Sequence, residues 1–478
     1  GPPPPPPHPP PPNARGVAEQ VAEAADSGPD EPVGQLSVGG FLRHRVGLWI
    51  ERLNDRPLAK QRQSIDLSLR YKRPLLGGLE SRIVADAHYE FDFAYLIKRE
   101  EFDRATLDAY ESQLIGGETF LGLSYGAFEV VFGRQIVAWG QGELLSPLDI
   151  VNPRDLREPG LADLDDIRLA VLATRAGLFF GSHRFEVMVV HESFTGLRPA
   201  PLSEFSPLRT LITSDPQAGT LLQGRQLRYR DVPGRFVDGA GQIYGRWSFA
   251  GAGIDLALYI ASTLHKNGIA QLPGPEALAQ REVAIDLWHP RYTMVGHAGA
   301  KPLGNWILRW ELGLDVDRPL MVRDERVQAL NIAILRREQA NGMLGITYSG
   351  ITDATLGLEY AQALVLDNPN RDDALASSSG ASWTLLSPVE APNFALRYSQ
   401  TFMRETLSLS AALTAFGIEP FLGLVARAEL EYELRDALKV SIGYITFQPA
   451  GGDDTFGPLY GMDRHDRLFT SLRWDFLL

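Results

Sequence analysis

From residue 35 onward, apolar and polar residues alternate along this chain with a period of two. In the segment 306–317, for example, every even position is apolar, whereas the odd positions carry Arg309, Glu311, Asp315 and Asp317. The same alternation recurs in 64–72, 83–95, 254–261, 404–416, 422–435, 437–447 and 467–478. Because successive side chains of a β-strand point to opposite faces, this pattern predicts strands with one apolar and one polar face.

The predicted strands run to about 12 to 15 residues, whereas strands of globular proteins usually have about five or six. Tyr and Trp lie near the ends of their apolar faces, as in the aromatic girdles of membrane barrels. Hydrocarbon offers no hydrogen-bond partners, so a sheet that crosses it must close on itself. We therefore predict an all-β chain that forms a transmembrane antiparallel β-barrel. A soluble β-protein with its apolar faces in a core is the alternative.

Short and long connections between the predicted strands alternate. The short ones fall near 74–81, 124–127, 181–184, 250–253, 297–303, 350–353, 402–405 and 435–437. The long polar ones fall near 53–61, 98–112, 141–165, 193–238, 264–281, 317–327, 367–391 and 448–466. This alternation indicates tight periplasmic turns and longer extracellular loops. With 327–349 taken as one strand, the count is about eighteen, and it is sixteen if a weak strand such as 241–249 belongs to a loop.

The composition argues against several other classes of protein. A formal net charge of −13 disfavours a nucleic-acid partner, because phosphate binding requires a basic face. The chain has no cysteine, which excludes disulfides and thiolate metal sites and suits a protein of the cell envelope. No glycine-rich phosphate loop follows a strand and opens a helix, so nucleotide chemistry has no support.

Residues 1–34 differ in composition from the rest, and we assign them to an N-terminal arm on the periplasmic side, with the barrel over 35–478. The first 13 residues, GPPPPPPHPPPPN, favour polyproline II because proline lacks the N–H donor of helices and sheets. An Ala/Glu-rich segment follows. Residues 1–33 suit a groove on a periplasmic or other envelope protein partner. A flexible leader is the simpler interpretation.

The segment 133–156, GRQIVAWGQGELLSPLDIVNPRDL, begins as a strand that we place over 127–140. It continues into a polar stretch, 141–165, which is the third long extracellular loop by the strand count. We expect this loop to fold into the lumen, as the third loop of general porins does. The functional interpretation is a constriction that selects solutes, and the structural one is a brace that stiffens the barrel.

The residue types of this segment fit a loop fixed inside a barrel. Asp149 and Asn152 suit turns in which the side chain bonds its own backbone, and Pro153 favours a turn φ. Asp149 and Asp155 are expected to pair with arginines of the wall. The candidate partners are Arg134, Arg43 and Arg45.

The pattern GRQxxxWGxGxxxxPxDxxNPxD in this segment resembles the motif of an uncharacterised family of Gram-negative outer-membrane barrels, catalogued as a domain of unknown function. The matching residues are Gly133, Arg134, Gln135, Trp139, Gly140, Asp149, Asn152, Pro153 and Asp155. The C-terminal stretch RLFTSLRWDFLL is similar to the assembly signal of outer-membrane proteins, although it ends in Leu478 instead of an aromatic residue. The resemblance implies a porin-like barrel among outer-membrane lipids and assigns no activity.

The polar faces of the predicted strands carry charges of both signs, which we expect to line the lumen. The candidate lumen-lining residues are Arg43, Arg45, Arg70, Asp86, His88, Glu90, Arg309, Glu311, Arg427 and Glu429. Facing charges of opposite sign favour polar or zwitterionic solutes. His88, between acidic neighbours, is interpreted as lumen lining and not as a metal ligand. The HESF sequence at 191–194 is an imperfect seed for acyl chemistry, so no catalytic residue, metal or cofactor is predicted.

These observations predict an outer-membrane channel of a Gram-negative bacterium, which passes small polar or amphiphilic solutes through a lumen narrowed by a loop. The alternative is a barrel that anchors a larger envelope assembly moving lipids or hydrophobic solutes and docks through its N-terminal arm. The solute, the direction of transport and the oligomeric state do not follow from the sequence.

Overall fold

The computed structural model describes residues 34, 36–97, 99–160, 167–214, 220, 222, 224–233, 241–271, 276, 280–323, 332–366, 390, 392–418, 421–450 and 458–478. The strands are β1 Leu36–Trp49, β2 Leu58–Pro74, β3 Leu79–Asp92, β4 Ser112–Tyr125, β5 Phe128–Gln135, β6 Val171–Phe180, β7 His183–Val190, β8 Gln226–Pro233, β9 Gln242–Gly251, β10 Ile254–Leu264, β11 Ile269–Gln271, β12 Glu282–His289, β13 Arg291–Leu303, β14 Trp306–Arg323, β15 Ile332–Ile351, β16 Ala354–Val365, β17 Asn393–Phe402, β18 Leu407–Phe416, β19 Gly423–Arg435, β20 Leu438–Pro449 and β21 Arg467–Leu477. Two short helices, α1 Arg104–Tyr110 and α2 Pro207–Ser214, lie in the long loops.

Eighteen of these strands form one closed antiparallel barrel. Each pairs with its neighbour along the chain, and β1 closes the ring by pairing with β21 from Gly39–Leu477 to Trp49–Arg467. The predicted fold class and the count of eighteen are confirmed. The alternative of sixteen is wrong, because 242–251 is a wall strand that pairs with both β7 and β10.

The apolar faces of the strands point away from the barrel axis. On β10, Leu258 and Ile260 are 49% and 58% exposed, whereas Tyr259 between them is 4% exposed. Tyr125 and Phe128, beside the turn between β4 and β5, are also exposed on the outer face. A sheet that shows hydrocarbon-like side chains over its whole outer surface requires lipid around it, with aromatic residues at the interface.

Some predicted boundaries need correction. The turn expected at 297–303 lies at 304–305, since β13 continues to Leu303. The connection 417–422 between β18 and β19 lies on the side of the long loops and was not predicted, because its six residues are far fewer than those of the other long loops. The strand expected over 127–140 ends at Gln135, where the chain turns into the lumen.

A second, three-stranded sheet of β11, β12 and β8 lies in the long loops. β12 pairs in parallel with β8, and Arg230 bonds both carboxylate oxygens of Asp286 across this pair at 2.6 Å. Sequence patterns had placed β8 and β11 in the loops 193–238 and 264–281, whereas β12 lies after the predicted end of the second loop. Within the described residues, no helix is long and apolar enough to cross a membrane. The predicted arm, 1–34, lies outside the described residues except for Gly34.

Candidate functional site: a loop across the lumen

The connection between β5 and β6, residues 136–170, folds into the barrel and is called the lumen loop below. Asn152 holds its two ends together: its Oδ1 accepts the N–H of Val137 at 2.7 Å. Its Nδ2 donates to the carbonyl oxygens of Gln135 at 3.0 Å and Leu169 at 2.8 Å. Asn152 is buried, so these three bonds satisfy backbone groups that water does not reach. The amide therefore fixes where the chain leaves the wall and where it returns.

An apolar cluster seats the lumen loop against the inner wall. Trp139 is buried among wall residues, with its ring 5.4 Å from that of Tyr244 and 4.9 Å from that of Tyr259. Leu148 is fully buried in the same cluster and lies against Gly296 and Gly313 of the wall. A Cβ at Gly296 would come within 2.7 Å of Leu148 Cδ2, so this wall position requires a residue without a side chain.

Glu311, on β14, binds the middle of the lumen loop. Its carboxylate accepts the N–H groups of Gln141 at 2.5 Å, Gly142 at 2.7 Å and Leu148 at 3.1 Å. It also accepts the hydroxyl of Ser146 at 2.9 Å. A buried carboxylate with this many donors is a strong anchor, since charge-assisted bonds are about twice as strong as neutral ones.

Glu359, on β16, provides a second carboxylate anchor of the same kind. It accepts the N–H groups of Glu143, Leu144 and Leu145 at 2.5 to 2.9 Å. The side chain of Glu143 in turn reaches Arg309 at 3.2 Å and Arg397 at 3.4 Å. The turn 141–148 is thus bound through its backbone and one carboxylate to three wall strands, β14, β16 and β17.

The other end of the lumen loop is held by cations of β2. Glu158 bonds Arg62 at 2.5 Å and also contacts Lys60. Arg157 bonds Glu90 of β3 at 3.1 Å. β2 and β14 lie nine strand positions apart in a ring of eighteen, so they face each other across the lumen. The lumen loop therefore spans the full width of the barrel.

The ion pairs predicted between this motif and the wall arginines are wrong. Asp149 bonds Arg154 and Arg168 of the lumen loop itself, each at 3.0 Å. Asp155 bonds Arg157, two residues along, at 2.6 Å. These ion pairs are local because both partners belong to one loop and lie close in sequence. Bringing them together costs less conformational entropy than bringing a loop carboxylate to an arginine of the wall.

The remaining motif residues have structural roles at the strand end. Arg134 bonds Glu192, in the loop that follows β7, at 3.0 Å. The side chain of Gln135 is buried and donates to the carbonyl of Ala173 at 3.0 Å. Gly140 has a φ of +87°, and a Cβ there would lie 2.2 Å from Ser146 Oγ. Gly133 lies opposite Phe120 in the β4–β5 pair, and the carbonyl of Pro153 accepts the N–H of Leu169 at 2.8 Å.

A cavity of about 340 Å³ lies between the lumen loop and strands β1 to β4. Six of the ten predicted lumen-lining residues meet in its wall: Arg43, Arg45, Arg70, Asp86, His88 and Glu90. Arg309 and Glu311 instead contact the turn 141–148. Arg427 and Glu429 pair with each other on β19, and Arg427 stacks on Phe469 with its Cζ 5.1 Å from the ring centroid.

The long loops close over part of the barrel mouth. Phe205, from the loop after β7, packs with Trp49, and their ring centroids are 5.9 Å apart. Arg467 of β21 lies between these two rings and donates to the carbonyl of Pro159 in the lumen loop at 3.0 Å. Glu204 bonds Arg52 and Arg209 at 2.6 Å each. The loop predicted at 193–238 therefore packs, in its described part, onto the barrel's own residues.

Two loop carboxylates are held ionised by these contacts. Burial disfavours the charged form of Glu158, but Arg62 and Lys60 outweigh it and lower the pKa of Glu158 to about 2. Burial opposes the charge of Glu204 too, and Arg209 and Arg52 lower its pKa to about 2. The attachments of both loops thus persist in any mildly acidic medium.

Sequence patterns missed Glu359, Glu158 and Leu148 as anchors. The position of Glu359 in the alternation predicts that its side chain points into the lumen. The alternation does not show which of the inward carboxylates contacts a loop. Glu158 lies outside the motif. Among the described residues, no group of three or more His, Asp or Glu side chains has an arrangement that would hold a metal ion.

The fold and the site define a porin-like transmembrane β-barrel with a loop across its lumen. Residues 106–476 match the family described as Protein of unknown function (DUF1302), and the chain belongs to that family. The predicted membership of an uncharacterised porin-like barrel family is thereby confirmed.

Solved structures of similar fold include OccAB3 and OccAB4 of Acinetobacter baumannii. OccAB3 has a TM-score of 0.50 and 10% identity, with 93% of this chain and 100% of that chain covered. OccAB4 has a TM-score of 0.50 and 9% identity, with 94% and 100% covered. The outer membrane protein OpdK of Pseudomonas aeruginosa has a TM-score of 0.48 and 12% identity, with 93% and 99% covered. Among curated proteins, none matches the sequence.

Proposed function

We propose that this protein is a channel in the outer membrane of a Gram-negative bacterium, which passes small polar or amphiphilic solutes through a lumen divided by the lumen loop. The observation that carries this proposal is the position of that loop. It is bound to β2 on one side by Glu158 and to β14 on the other by Glu311. The loop leaves beside it a cavity lined by charges of both signs.

The barrel fold shared with OccAB3 and OccAB4 supports this proposal at the level of architecture. The charges support the solute class, because opposite charges facing each other orient polar molecules and disfavour purely apolar ones. The anchors support selectivity, since a loop bound by buried carboxylates keeps a fixed opening. A loop that only stiffened the barrel would not need charged anchors or contacts with opposite sides of the wall.

The test is conductance of the purified full chain in planar bilayers, together with swelling of proteoliposomes in small sugars and amino acids. We expect small, steady openings for the wild type and larger ones after deletion of 141–148, the turn bound by Glu311 and Glu359. A deletion within the exposed turn 75–78 between β2 and β3, outside the lumen, should leave conductance unchanged. Absence of conductance in both the wild type and the 141–148 deletion would contradict the channel.

The alternative, a barrel that anchors an envelope assembly, still rests on the proline-rich residues 1–33. These residues suit an aromatic groove on a partner protein. Recovery of envelope proteins from detergent extracts with the full chain, and their loss with a chain lacking residues 1–33, would favour the assembly. Equal recovery with both chains would exclude a docking role for this arm.

A further inference from the structure

The lumen loop seals one sector of the barrel wall. Inward residues of β6, β7, β9, β10 and β13 pack in one apolar cluster with Trp139, Leu148 and Val151 of the loop. Lower on the same strands, next to the short turns, Arg184 on β7 and Ser248 on β9 are each 2% exposed, although both point into the barrel. The inner face of this sector is therefore closed to a solute along its height.

The cavity beside β1 to β4 is closed at its end toward the long loops. Lys60 and Arg62 lie at the end of β2 that follows the loop 50–57. Both contact Glu158 of the lumen loop, and the three side chains are only 5%, 11% and 10% exposed. A solute in this cavity would have to break buried ion pairs in order to leave on that side.

The inner face of β17 and β18, by contrast, is accessible. Arg397 contacts Glu143 of the lumen loop at 3.4 Å, so residues two positions apart from it on β17 also face the lumen. Ser399, the next of these residues, pairs with Ser410 on β18, and Ser410 is exposed although it points into the barrel. Thr414, higher on β18, is partly exposed. Water therefore reaches this part of the inner wall.

This inner face carries hydroxyl groups. The inward residues of β17 and β18 other than Arg397 include Ser399, Thr401, Ser408, Ser410, Ala412 and Thr414. Within the described part of the chain, no side-chain hydrogen bond occupies these five hydroxyls. A hydroxyl both donates and accepts, so it replaces water around the hydroxyls of a solute and offers nothing comparable to an alkyl chain.

The charges on this side of the lumen do not favour ions of one sign. Strands β17 to β20 contain four basic and three acidic residues, and Glu143 of the lumen loop adds a fourth carboxylate. The ion pairs among them are Arg397 with Glu143, Arg427 with Glu429 and Lys439 with Glu431. Uncharged solutes therefore meet no disadvantage here relative to ions of either sign.

We propose that the axial passage runs between the turn 141–148 and the inner face of β17 and β18, and that it carries small uncharged polyhydroxylated solutes. The pair of Arg397 and Glu143 sets the width of the passage, and Ser399 and Ser410 form hydrogen bonds with the solute. This inference rests on the proposed channel function, to which it adds a route and a narrower class of solute.

Single cysteines test the route, since the chain has no cysteine of its own. Ser410→Cys places a thiol on β18, and Ser68→Cys places one on β2, in the lining of the cavity. Each full-length variant is recorded in planar bilayers before and after a methanethiosulfonate reagent that carries a trimethylammonium group, with labelling checked by mass. Conductance of Ser410→Cys should fall about twofold or more, whereas that of Ser68→Cys should stay unchanged. Thr414→Cys takes the place of Ser410→Cys if the latter does not assemble.

Removal of hydroxyls tests the class of solute. The double variant Ser399→Ala with Ser410→Ala loses two hydroxyls and does not narrow the passage. The rate of proteoliposome swelling in a pentose, divided by the potassium chloride conductance of the same protein, should fall about threefold. Ser64→Ala with Ser68→Ala, two serines that line the cavity, is the matched control and should leave this ratio unchanged.

Several results would overturn the inference. Absence of block in Ser410→Cys, equal block in Ser410→Cys and Ser68→Cys, or block in Ser68→Cys alone would reject the route. A pentose ratio that is the same in the Ser399 and Ser410 double variant as in the wild type would reject the class of solute. These results require a conducting wild type. They are therefore distinct from failure of the proposed channel, in which neither the wild type nor the 141–148 deletion conducts and the route fails with it.

Discussion

The carboxylate of Glu311, in the barrel wall, accepts the backbone N–H of Gly142, in the lumen loop, at 2.7 Å. The same carboxylate accepts the N–H of Leu148 at 3.1 Å, so one wall side chain holds both ends of the turn 141–148. The loop's position therefore depends on a few buried contacts whose removal has distinct consequences.

Glu311→Gln should loosen this turn. An amide retains one acceptor oxygen and places an NH₂ group among N–H donors, and each buried donor left unpaired costs about 1–3 kcal/mol. Single-channel recording should show larger and noisier openings. Glu429→Gln, which alters a carboxylate paired with Arg427 on β19, is the control and should leave conductance unchanged. Identical traces from both variants would contradict the anchoring role.

Leu148 and Gly296 should show coupled effects on loop docking. Leu148→Ala removes a fully buried side chain and should weaken docking by about 2–5 kcal/mol. Gly296→Val places atoms where Leu148 lies and should also release the loop. The loss of docking free energy in the double variant should be smaller than the sum of the losses in the two single variants. The reason is that the valine at 296 fills the space that the alanine at 148 leaves empty. Rates of limited proteolysis within the lumen loop measure this, and strictly additive rates would argue against direct contact.

Acid should release the end of the lumen loop at Glu158. Its pKa is lowered from 4.5 to about 2 in the folded protein, so the stabilisation is complete above about pH 4.5 and is lost as pH falls toward 2. Conductance recorded from pH 7 to pH 2 should therefore change below about pH 4. Glu158→Gln should lack this acid step and resemble the released state at every pH. A step that persists in Glu158→Gln would assign it to another group.

Asn152→Asp should impair the barrel more than Asn152→Ala. The alanine variant leaves the N–H of Val137 and the carbonyls of Gln135 and Leu169 without their partner, at about 1–3 kcal/mol for each buried group. The aspartate adds a carboxylate oxygen against two carbonyl oxygens. The temperature up to which the folded band persists on gels should fall from the wild type to Asn152→Ala and then to Asn152→Asp. Equal resistance of both variants and the wild type would show that the loop base does not depend on this amide.

The barrel architecture was largely predictable, because the period-two alternation of apolar and polar residues shows directly which segments form strands with one lipid-facing side. Lipid outside and water inside impose opposite polarity on neighbouring residues, as Leu258 and Tyr259 show on β10. The boundary at Gln135 was not predictable, since Ile136 and Val137 are β-branched residues that suit a strand, and only the tertiary bond from Val137 to Asn152 directs the chain inward.

The site was predictable as a segment but not as a set of contacts. Asn152 belongs to the motif, and its side chain has the donor and acceptor that its role requires. Asp149 and Asp155 were assigned to wall arginines because sequence shows charge and not distance, whereas their partners lie within the same loop. The inward parity of Glu359 did not identify it as an anchor, because the wall position that meets the turn 141–148 depends on the ring of strands.

The pairing of β1 with β21 has a consequence for biogenesis. The first and the last strand of the barrel form one seam, so the cylinder stays open until β21 has paired with β1. The lumen loop bonds β2 and β14, which lie on opposite sides of the ring, so its full set of contacts depends on this single seam.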